Sequence, residues 1–228
     1  MNALKRTAAQ TAVLMAILTL IAKIFGFIRE MVMANYFGAN YITDAYVMAF
    51  AIPMIILGGV FGAVATAYMP LFSKITENEG EKAGSRFTSE VINLLIMVST
   101  FAAIIGIGFS DQIVGVFASG FSGETAKLTS FFTKITFCYI LFTSVAGVLE
   151  AYLQYKGTFL VQIVLGYVHN IIVIGVIVVS AFTSHYYLAL GWFFAHMIRV
   201  LILLYFAKKR DYHYGAGFKI SGTVKLLL

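Results

Sequence analysis

The sequence predicts an all-α polytopic membrane protein with six transmembrane helices. Of its 228 residues, 61% are hydrophobic and only 11% are charged, and the mean hydropathy is +0.91. A soluble globular domain has roughly a quarter charged residues, so this composition excludes a soluble protein. The hydrophobic residues also form long runs, which is the pattern that membrane-spanning helices need.

Six segments can span a bilayer, because each is near or above the ~20 residues that cross the hydrocarbon core. The segments comprise residues 8–37, 42–72, 87–109, 125–154, 158–182 and 186–207. The first, second and fourth exceed this length and are expected to tilt, bend or project beyond the membrane. Residues 1–228 are therefore expected to form a single transmembrane domain.

Lysine and arginine residues near the segment ends predict the orientation. Only Lys127 falls in a connection on one side of the membrane. The other side carries Lys5, Arg6, Lys74, Lys82, Arg86, Lys156, Lys208, Lys209, Arg210, Lys219 and Lys225. Basic residues mark the cytoplasmic side, so both chain ends are expected there. The same residues account for most of the net charge of +6, which therefore does not indicate a nucleic-acid partner.

The connections and the second segment carry local signals. Residues 74–86 mix charges of both signs with glycines and predict a short solvated loop. Residues 110–124 predict an interfacial turn of helix that ends at glycines. Pro53 predicts a bend in the second helix, because proline lacks a backbone donor. Gly58 and Gly62 predict a close helix contact.

Charged residues within the first two segments are the strongest functional signal. A cation at hydrocarbon depth costs roughly 3 kcal/mol, so Arg29 and Lys23 are expected to face a protein-lined cavity. Snorkelling toward the headgroups is the alternative. The planar fork of arginine suits a diphosphate, which makes an anionic ligand the first hypothesis. Glu30 is expected to be the counter-ion or gate partner of Arg29, and Asp44 to cap the second helix with Thr43 or to act in gating.

Other titratable residues give weaker signals. Three charged residues lie toward segment ends, where their side chains can reach the membrane interface, and this position explains their charge without a functional role. They are Arg199, Glu150 and Lys134. The four histidines are dispersed and predict no metal site, and no cofactor is implied. The sequence lacks phosphate-binding, zinc-protease and nucleophile-elbow motifs, so transport is favoured over catalysis.

Short motifs distributed along the chain carry a family resemblance. They are GF-x-R-[DE] at Gly26–Glu30, FGA at Phe37–Ala39, TDA at Thr43–Ala45, Pro53, P-x-F at Pro70–Phe72, SGF at Ser119–Phe121 and KITFCYIL at Lys134–Leu141. Together these motifs resemble the N-terminal signature of the MurJ (MviN) lipid II flippase family. The resemblance covers essentially the whole chain. It implies a fold of the multidrug, oligosaccharidyl-lipid and polysaccharide exporter superfamily, in which two six-helix lobes surround a central cavity.

The resemblance also implies roles for individual residues. Arg29 and Lys23 match cavity cations that engage the diphosphate of lipid II, Glu30 matches an acidic position linked to gating, and Asp44 matches a sensitive aspartate at the outer end. The chain departs from the family pattern at three positions. A further cavity arginine falls on Leu57, an acidic position falls on Gly62, and Cys138 replaces a proline.

The functional hypothesis is the N-lobe of a lipid II flippase of the bacterial inner membrane, with the second lobe absent from these residues. The expected mechanism is alternating access without covalent chemistry. Expected partners are a lipid-linked diphosphate, membrane lipids and a second lobe or second copy. The alternatives are an exporter of another polyprenyl-linked glycan or of drugs, and a non-transporting half-transporter or scaffold fragment.

Overall fold

The computed structural model describes residues 8–215, with side chains from residue 13 onward, and this part of the chain is a bundle of α-helices. The helices are α1 Ala8–Phe37, α2 Tyr41–Glu79, α3 Glu81–Gly108, α4 Ser110–Phe117, α5 Gly123–Tyr155, α6 Leu160–Phe182 and α7 Leu188–Lys208. A short 3-10 turn, His185–Tyr187, precedes α7. The predicted cytoplasmic cations at positions 5, 6, 219 and 225 lie outside the described residues.

Five described segments are long and apolar enough to cross a membrane. They are Tyr41–Glu79, Glu81–Gly108, Gly123–Tyr155, Leu160–Phe182 and His185–Lys208. The all-α polytopic class is therefore confirmed. Helix α1 has 30 residues, or about 45 Å at 1.5 Å per residue, and its role as the sixth span stays a prediction.

Helix α5 lies at the centre of the bundle and packs against α2, α3, α4 and α7. Helix α7 in turn packs against α6, and α6 packs against α1. Helix α1 lies at the edge of the bundle and runs parallel to α6, since Phe25 contacts Tyr167 and Tyr36 contacts Phe182. Contacts between α1 and α2 are few, so one side of each helix stays open in the described part of the chain.

Most described basic residues at helix ends lie at one end of the bundle, which we call the basic end. They are Lys74, Lys82, Arg86, Lys156, Lys208, Lys209 and Arg210. At this end an ion pair joins Lys156, which follows α5, to Glu81 of α3, with a distance of 2.6 Å from Nζ to Oε2. Lys127 lies at the opposite end, in the first turns of α5. The assignment of the basic end to the cytoplasm stays a prediction.

Helix α2 continues through Pro53, and a neighbouring helix compensates for the missing backbone donor. The carbonyl of Ala49 would accept the N–H of residue 53 in a regular helix, but proline has no N–H. The hydroxyl of Thr136 on α5 donates to this carbonyl instead, at 2.8 Å. Both Pro53 and Thr136 are buried. This contact joins the central helix to α2 and keeps the carbonyl satisfied in an apolar surrounding.

The predicted solvated loop at residues 74–86 is wrong. Helix α2 continues to Glu79 and α3 begins at Glu81, so the connection is Gly80 alone. Gly80 has a φ of 87°, which only glycine adopts without strain. The mixed charges of this region lie on helix surfaces, because glutamate and lysine are good helix formers as well as good loop residues.

The predicted glycine contact on α2 is also wrong within the described residues. A Cβ at Gly62 would meet no atom within 4 Å, and one at Gly58 would meet only Met54 of the same helix. A close approach occurs instead at Gly106 on α3, where a Cβ would overlap the ring of Phe137 on α5. The glycine side of α2 therefore lies open.

The predicted turn of helix in residues 110–124 is confirmed as α4, Ser110–Phe117, and its place at the membrane interface stays a prediction. Val114 is buried against the bundle, whereas Val116 is 77% exposed, as expected of an amphipathic helix at a membrane surface. The hydroxyl of Ser130 on α5 donates to Ser110 at 3.0 Å and to the carboxylate of Asp111. These bonds hold α4 against the first turns of α5.

Replacing Thr136 tests the contact that compensates for Pro53. Thr136→Val exchanges the hydroxyl for a methyl group and leaves the Ala49 carbonyl without its partner on α5. We expect the free energy of unfolding to fall by about 1–3 kcal/mol, measured by thermal unfolding in detergent. Thr143→Val is the control, because the Thr143 hydroxyl bonds to the Tyr139 carbonyl in its own helix. Equal losses in the two variants would contradict the proposed compensation.

Candidate functional site

Arg29 lies on the side of α1 that faces α6 and α7. Its Nη1 donates to Oδ1 of Asn170 on α6 at 3.3 Å. Its guanidinium carbon lies 5.3 Å from the ring centroid of Trp192 on α7, a distance at which cation and ring attract each other. The side chain is 20% exposed. The predicted cation therefore packs against α6 and α7 and stays partly exposed.

Glu30 is the ion-pair partner of Arg29. Its Oε1 accepts from Nε of Arg29 at 3.1 Å and from Nη2 at 2.5 Å. The Glu30 side chain is 61% exposed, so the carboxylate lies on the open side of the arginine. The structure thus provides the expected counter-ion, while the gating role of Glu30 stays a prediction.

Trp192 lies in a cluster of aromatic rings and histidines that joins α2, α6 and α7. Its Nε1 donates to the hydroxyl of Tyr46 on α2 at 2.5 Å, and its ring stacks on Phe50 with centroids 4.5 Å apart. His169 on α6 and His196 on α7 both contact the indole ring. The arginine on α1 therefore rests on a surface built by α2, α6 and α7.

Lys23 lies apart from this cluster. Its side chain is exposed, and it forms no hydrogen bond or ion pair with any residue in the described range. Six residues at about 100° each separate it from Arg29 by roughly 120° around α1. The structure therefore does not bring the two predicted cations into contact.

Asp44 is not the cap of α2. The cap is Asn40, whose side chain accepts from the backbone N–H groups of Ile42 and Thr43. The Thr43 hydroxyl donates to the carbonyl of Gly38 at 2.7 Å. Asp44 is exposed in the first turn of α2, where a carboxylate favours the positive end of the helix dipole. Sequence reasoning missed Asn40, although an asparagine directly before a helical run is a strong cap signal.

An ion pair between Glu150 on α5 and Arg199 on α7 was not predicted. Oε1 of Glu150 lies 2.6 Å from Nε and 2.5 Å from Nη2 of Arg199, and the two side chains are 20% and 24% exposed. The pair gives each charge a partner on the neighbouring helix, and the predicted position of both residues near the membrane interface stays a prediction. Opposite charges in two apolar helices, each some turns before the basic end, were the signal that could have revealed the pair.

The two histidines of the cluster come together only in the fold. The ring centroids of His169 and His196 are 4.9 Å apart, and Nδ1 of His196 lies 2.9 Å from the Trp192 carbonyl. Since a carbonyl only accepts, this nitrogen carries the proton. Among the described side chains, no group of three histidine, cysteine, aspartate or glutamate residues could hold a metal ion.

Comparison with known proteins gives a consistent result. Residues 33–226 match the family model of the lipid II flippase MurJ. The chain belongs to the MurJ family. A probable lipid II flippase MurJ from Buchnera aphidicola subsp. Schizaphis graminum is 34% identical, over 77% of this chain and 35% of that protein. A probable MurJ from Aquifex aeolicus is 29% identical, over 80% and 36%.

Solved structures extend the comparison to the fold of this MurJ family member. A lipid II flippase MurJ in an inward closed conformation has a TM-score of 0.78 and 25% identity, over 94% of this chain and 46% of that chain. A transporter of the same superfamily from Pyrococcus furiosus has a TM-score of 0.75 at 12% identity and shares the fold alone. The chain thus spans about a third to a half of the length of these relatives.

Family membership and the five membrane-length helices identify a multi-pass protein of the bacterial inner membrane in a transporter family. The position expected for a further MurJ cavity arginine carries Leu57, which packs against the apolar cluster around Ile52 and Phe137. Gly62, at the expected acidic position, is exposed. The described charges of the candidate site are therefore concentrated on α1.

Removing one partner of the Glu150–Arg199 pair tests its contribution to stability. Glu150→Ala leaves the Arg199 guanidinium without a counter-ion inside the bundle, which should lower the free energy of unfolding by about 3 kcal/mol. Thermal unfolding in detergent measures the loss. The exposed Glu124–Lys127 pair provides the control, since Lys127→Ala should change stability by less than about 1 kcal/mol.

The charge-swapped variant, Glu150→Arg with Arg199→Glu, completes this test. Because it restores opposite charges between α5 and α7, we expect it to recover part of the lost stability. A swapped protein that is no more stable than Glu150→Ala would show that attraction between the two charges is not what stabilises the interface.

Proposed function

We propose that this chain forms one lobe of a lipid II flippase that moves its substrate by alternating access, without covalent chemistry. Two findings support the proposal: the family match over residues 33–226 and the agreement with about half of a MurJ structure. The observation that carries it is Arg29, a guanidinium in an apolar helix that contacts α6 and α7 and whose Nε–Nη2 edge is paired with the exposed carboxylate of Glu30.

The proposed domain is an N-terminal transmembrane lobe of residues 1–228 with six spans and both ends in the cytoplasm. Few contacts join α1 to α2, and the glycine side of α2 is open. Both features fit a lobe whose cavity is completed by a second lobe or a second copy. The concentration of basic residues at one end supports the cytoplasmic assignment.

The diphosphate of the substrate binds Arg29 in this proposal. A guanidinium donates two parallel hydrogen bonds to an oxyanion, and a low-dielectric cavity strengthens them. Glu30 occupies that edge in the present structure and would act as the gate partner that leaves when the diphosphate arrives. Lys23, about 9 Å along α1 toward the basic end, would meet the anion as it enters. Asp44 would act in gating at the opposite end.

Rocking of the two lobes would then expose the headgroup on the outer side while the polyprenyl tail stays in lipid. The membrane potential biases any step that moves net charge, by about 2.3 kcal/mol per charge for each 100 mV. Binding and reorientation suffice for this cycle, so the proposal includes no enzymatic activity.

A related export function is the second candidate. The fold is shared with a transporter from Pyrococcus furiosus, so the fold alone does not select the substrate, and Leu57 and Gly62 depart from the MurJ charge pattern. These observations favour an exporter of another polyprenyl-linked glycan or of drugs as the alternative. The third candidate is a non-transporting scaffold, since the chain spans only about a third to a half of the length of its relatives.

Variants of Arg29 test the proposed site in bacterial cells that express the protein. After depletion of the native protein, Arg29→Ala should lower the fraction of lipid II that reaches the outer leaflet by about 100-fold, because two charge-assisted bonds are lost. Arg29→Lys keeps the positive charge but lacks the planar pair of donors, so this fraction of lipid II should fall by about 10-fold. The measurement is the lipid II fraction that a membrane-impermeant probe can reach.

Lys127→Ala serves as the matched control, since it removes a cation that lies away from α1. Membrane insertion of every variant is measured in parallel. If the Arg29→Ala variant inserts into the membrane and still translocates lipid II at a near-normal rate, the proposed role of Arg29 in substrate binding is wrong. Accumulation of a different polyprenyl-linked glycan after depletion would favour the related exporter, and no lipid accumulation at all would favour the scaffold.

A further inference from the structure

Two uncharged side chains hold the Arg29 guanidinium, and neither belongs to the proposed substrate contacts. Asn170 on α6 meets one end of the guanidinium, and Trp192 on α7 lies under its face. Each is itself fixed by further contacts. Their arrangement determines which part of the arginine a ligand can reach.

Asn170 presents a defined atom to the arginine. Its Nδ2 donates to the carbonyl of Gly166, one turn earlier in α6, at 2.9 Å. This bond leaves Oδ1 on the side of Arg29, where it accepts from Nη1 at 3.3 Å. The residue is 8% exposed, so water does not compete for the amide. Asn170 thus offers an acceptor of fixed direction.

Trp192 presents a fixed ring face. The hydrogen bond from Nε1 to Tyr46 and the stack on Phe50 hold the indole at its edge and on one side. The Arg29 guanidinium lies 5.3 Å from the ring centroid. An indole attracts a cation over its face most strongly among the aromatic side chains. The contact therefore limits how the guanidinium can turn.

The edge of Arg29 that faces away from Asn170 carries two parallel donors, and both are paired with Glu30. Nη1 is engaged by Asn170, while Nε and Nη2 both point to Oε1 of Glu30. Because Glu30 is 61% exposed, this edge lies toward open space. Two parallel donors on one edge are the arrangement that binds an oxyanion in bidentate fashion.

We propose that Asn170 and Trp192 are positioning residues, which orient the Arg29 guanidinium so that its Nε–Nη2 edge is offered to a diphosphate. The inference rests on the proposed function of Arg29. It assigns ligand selectivity to α6 and α7, although neither residue touches the ligand. The two residues act through the arginine.

Trp192 is the single tryptophan of the chain, so its fluorescence reports on this site directly. The test uses the full chain in lipid nanodiscs, titrated with farnesyl diphosphate and, as the neutral comparison, with farnesol. Asn170→Leu should weaken farnesyl diphosphate binding by about 10-fold, because an unoriented guanidinium loses one of the two parallel bonds to the diphosphate, and leave farnesol unaffected. Gln162→Leu is the matched control, since Gln162 is an α6 amide that bonds to α5.

A double-mutant cycle separates positioning from general stabilisation. In an Arg29→Ala background, Asn170→Leu should cause no further loss, because Asn170 acts through the arginine. An undiminished additional loss in that background would overturn the inference. Wild-type binding by Arg29→Ala would instead overturn the proposed function, so the two failures are distinguishable.

Trp192 variants provide a second test, read with radiolabelled farnesyl diphosphate because they lack the fluorophore. Trp192→Phe keeps an aromatic ring next to the guanidinium, so its affinity for farnesyl diphosphate should stay within about 3-fold of the wild type. Trp192→Leu removes the ring, and its affinity should fall by about 10-fold. Equal losses in the two variants would overturn the role of the ring. This comparison also decides the matter if Asn170→Leu fails to fold.

Discussion

Hydrocarbon offers no hydrogen bonds, so the polar side chains inside this bundle depend on partners within the protein, and some of these partners lie on another helix. The Thr136 hydroxyl completes an open carbonyl of α2, Glu150 neutralises Arg199, and Asn170 meets Arg29. These contacts join α5 to α2, α5 to α7, and α6 to α1. Apolar contacts between helices resemble contacts with lipid and select neighbours weakly. A few polar contacts therefore specify which helices lie side by side.

Five of the six predicted spans and the short helix α4 could be predicted because hydropathy and length are properties of a continuous segment. The turn between α2 and α3 could not, because residues 74–86 have a composition that suits both a solvated loop and an exposed helix. The position of Gly80 decided between them. The close helix contact predicted at glycines 58 and 62 is absent from the described residues for a related reason. A small residue permits close packing, but its presence does not determine whether another helix packs there.

Arg29 could be identified from the sequence because a guanidinium in an apolar run is an anomaly in itself. Its partners could not, because asparagine and tryptophan are unremarkable within a span and Asn170 is 141 residues away. Neighbours of this kind are decided by the packing of α6 and α7. The Glu150–Arg199 pair was in principle recognisable, since both residues carry charge at similar distances from the basic end.

The adjacency of Arg29 and Glu30 has a consequence for the biosynthesis of the protein. Helix α1 is synthesised before α6 and α7, so its arginine meets the membrane before those helices exist. At that stage the neighbouring carboxylate can already neutralise it, and an ion pair enters a bilayer at lower cost than a lone guanidinium. An acidic residue directly after the arginine therefore lowers the energetic cost that the arginine alone would impose on insertion of the nascent helix.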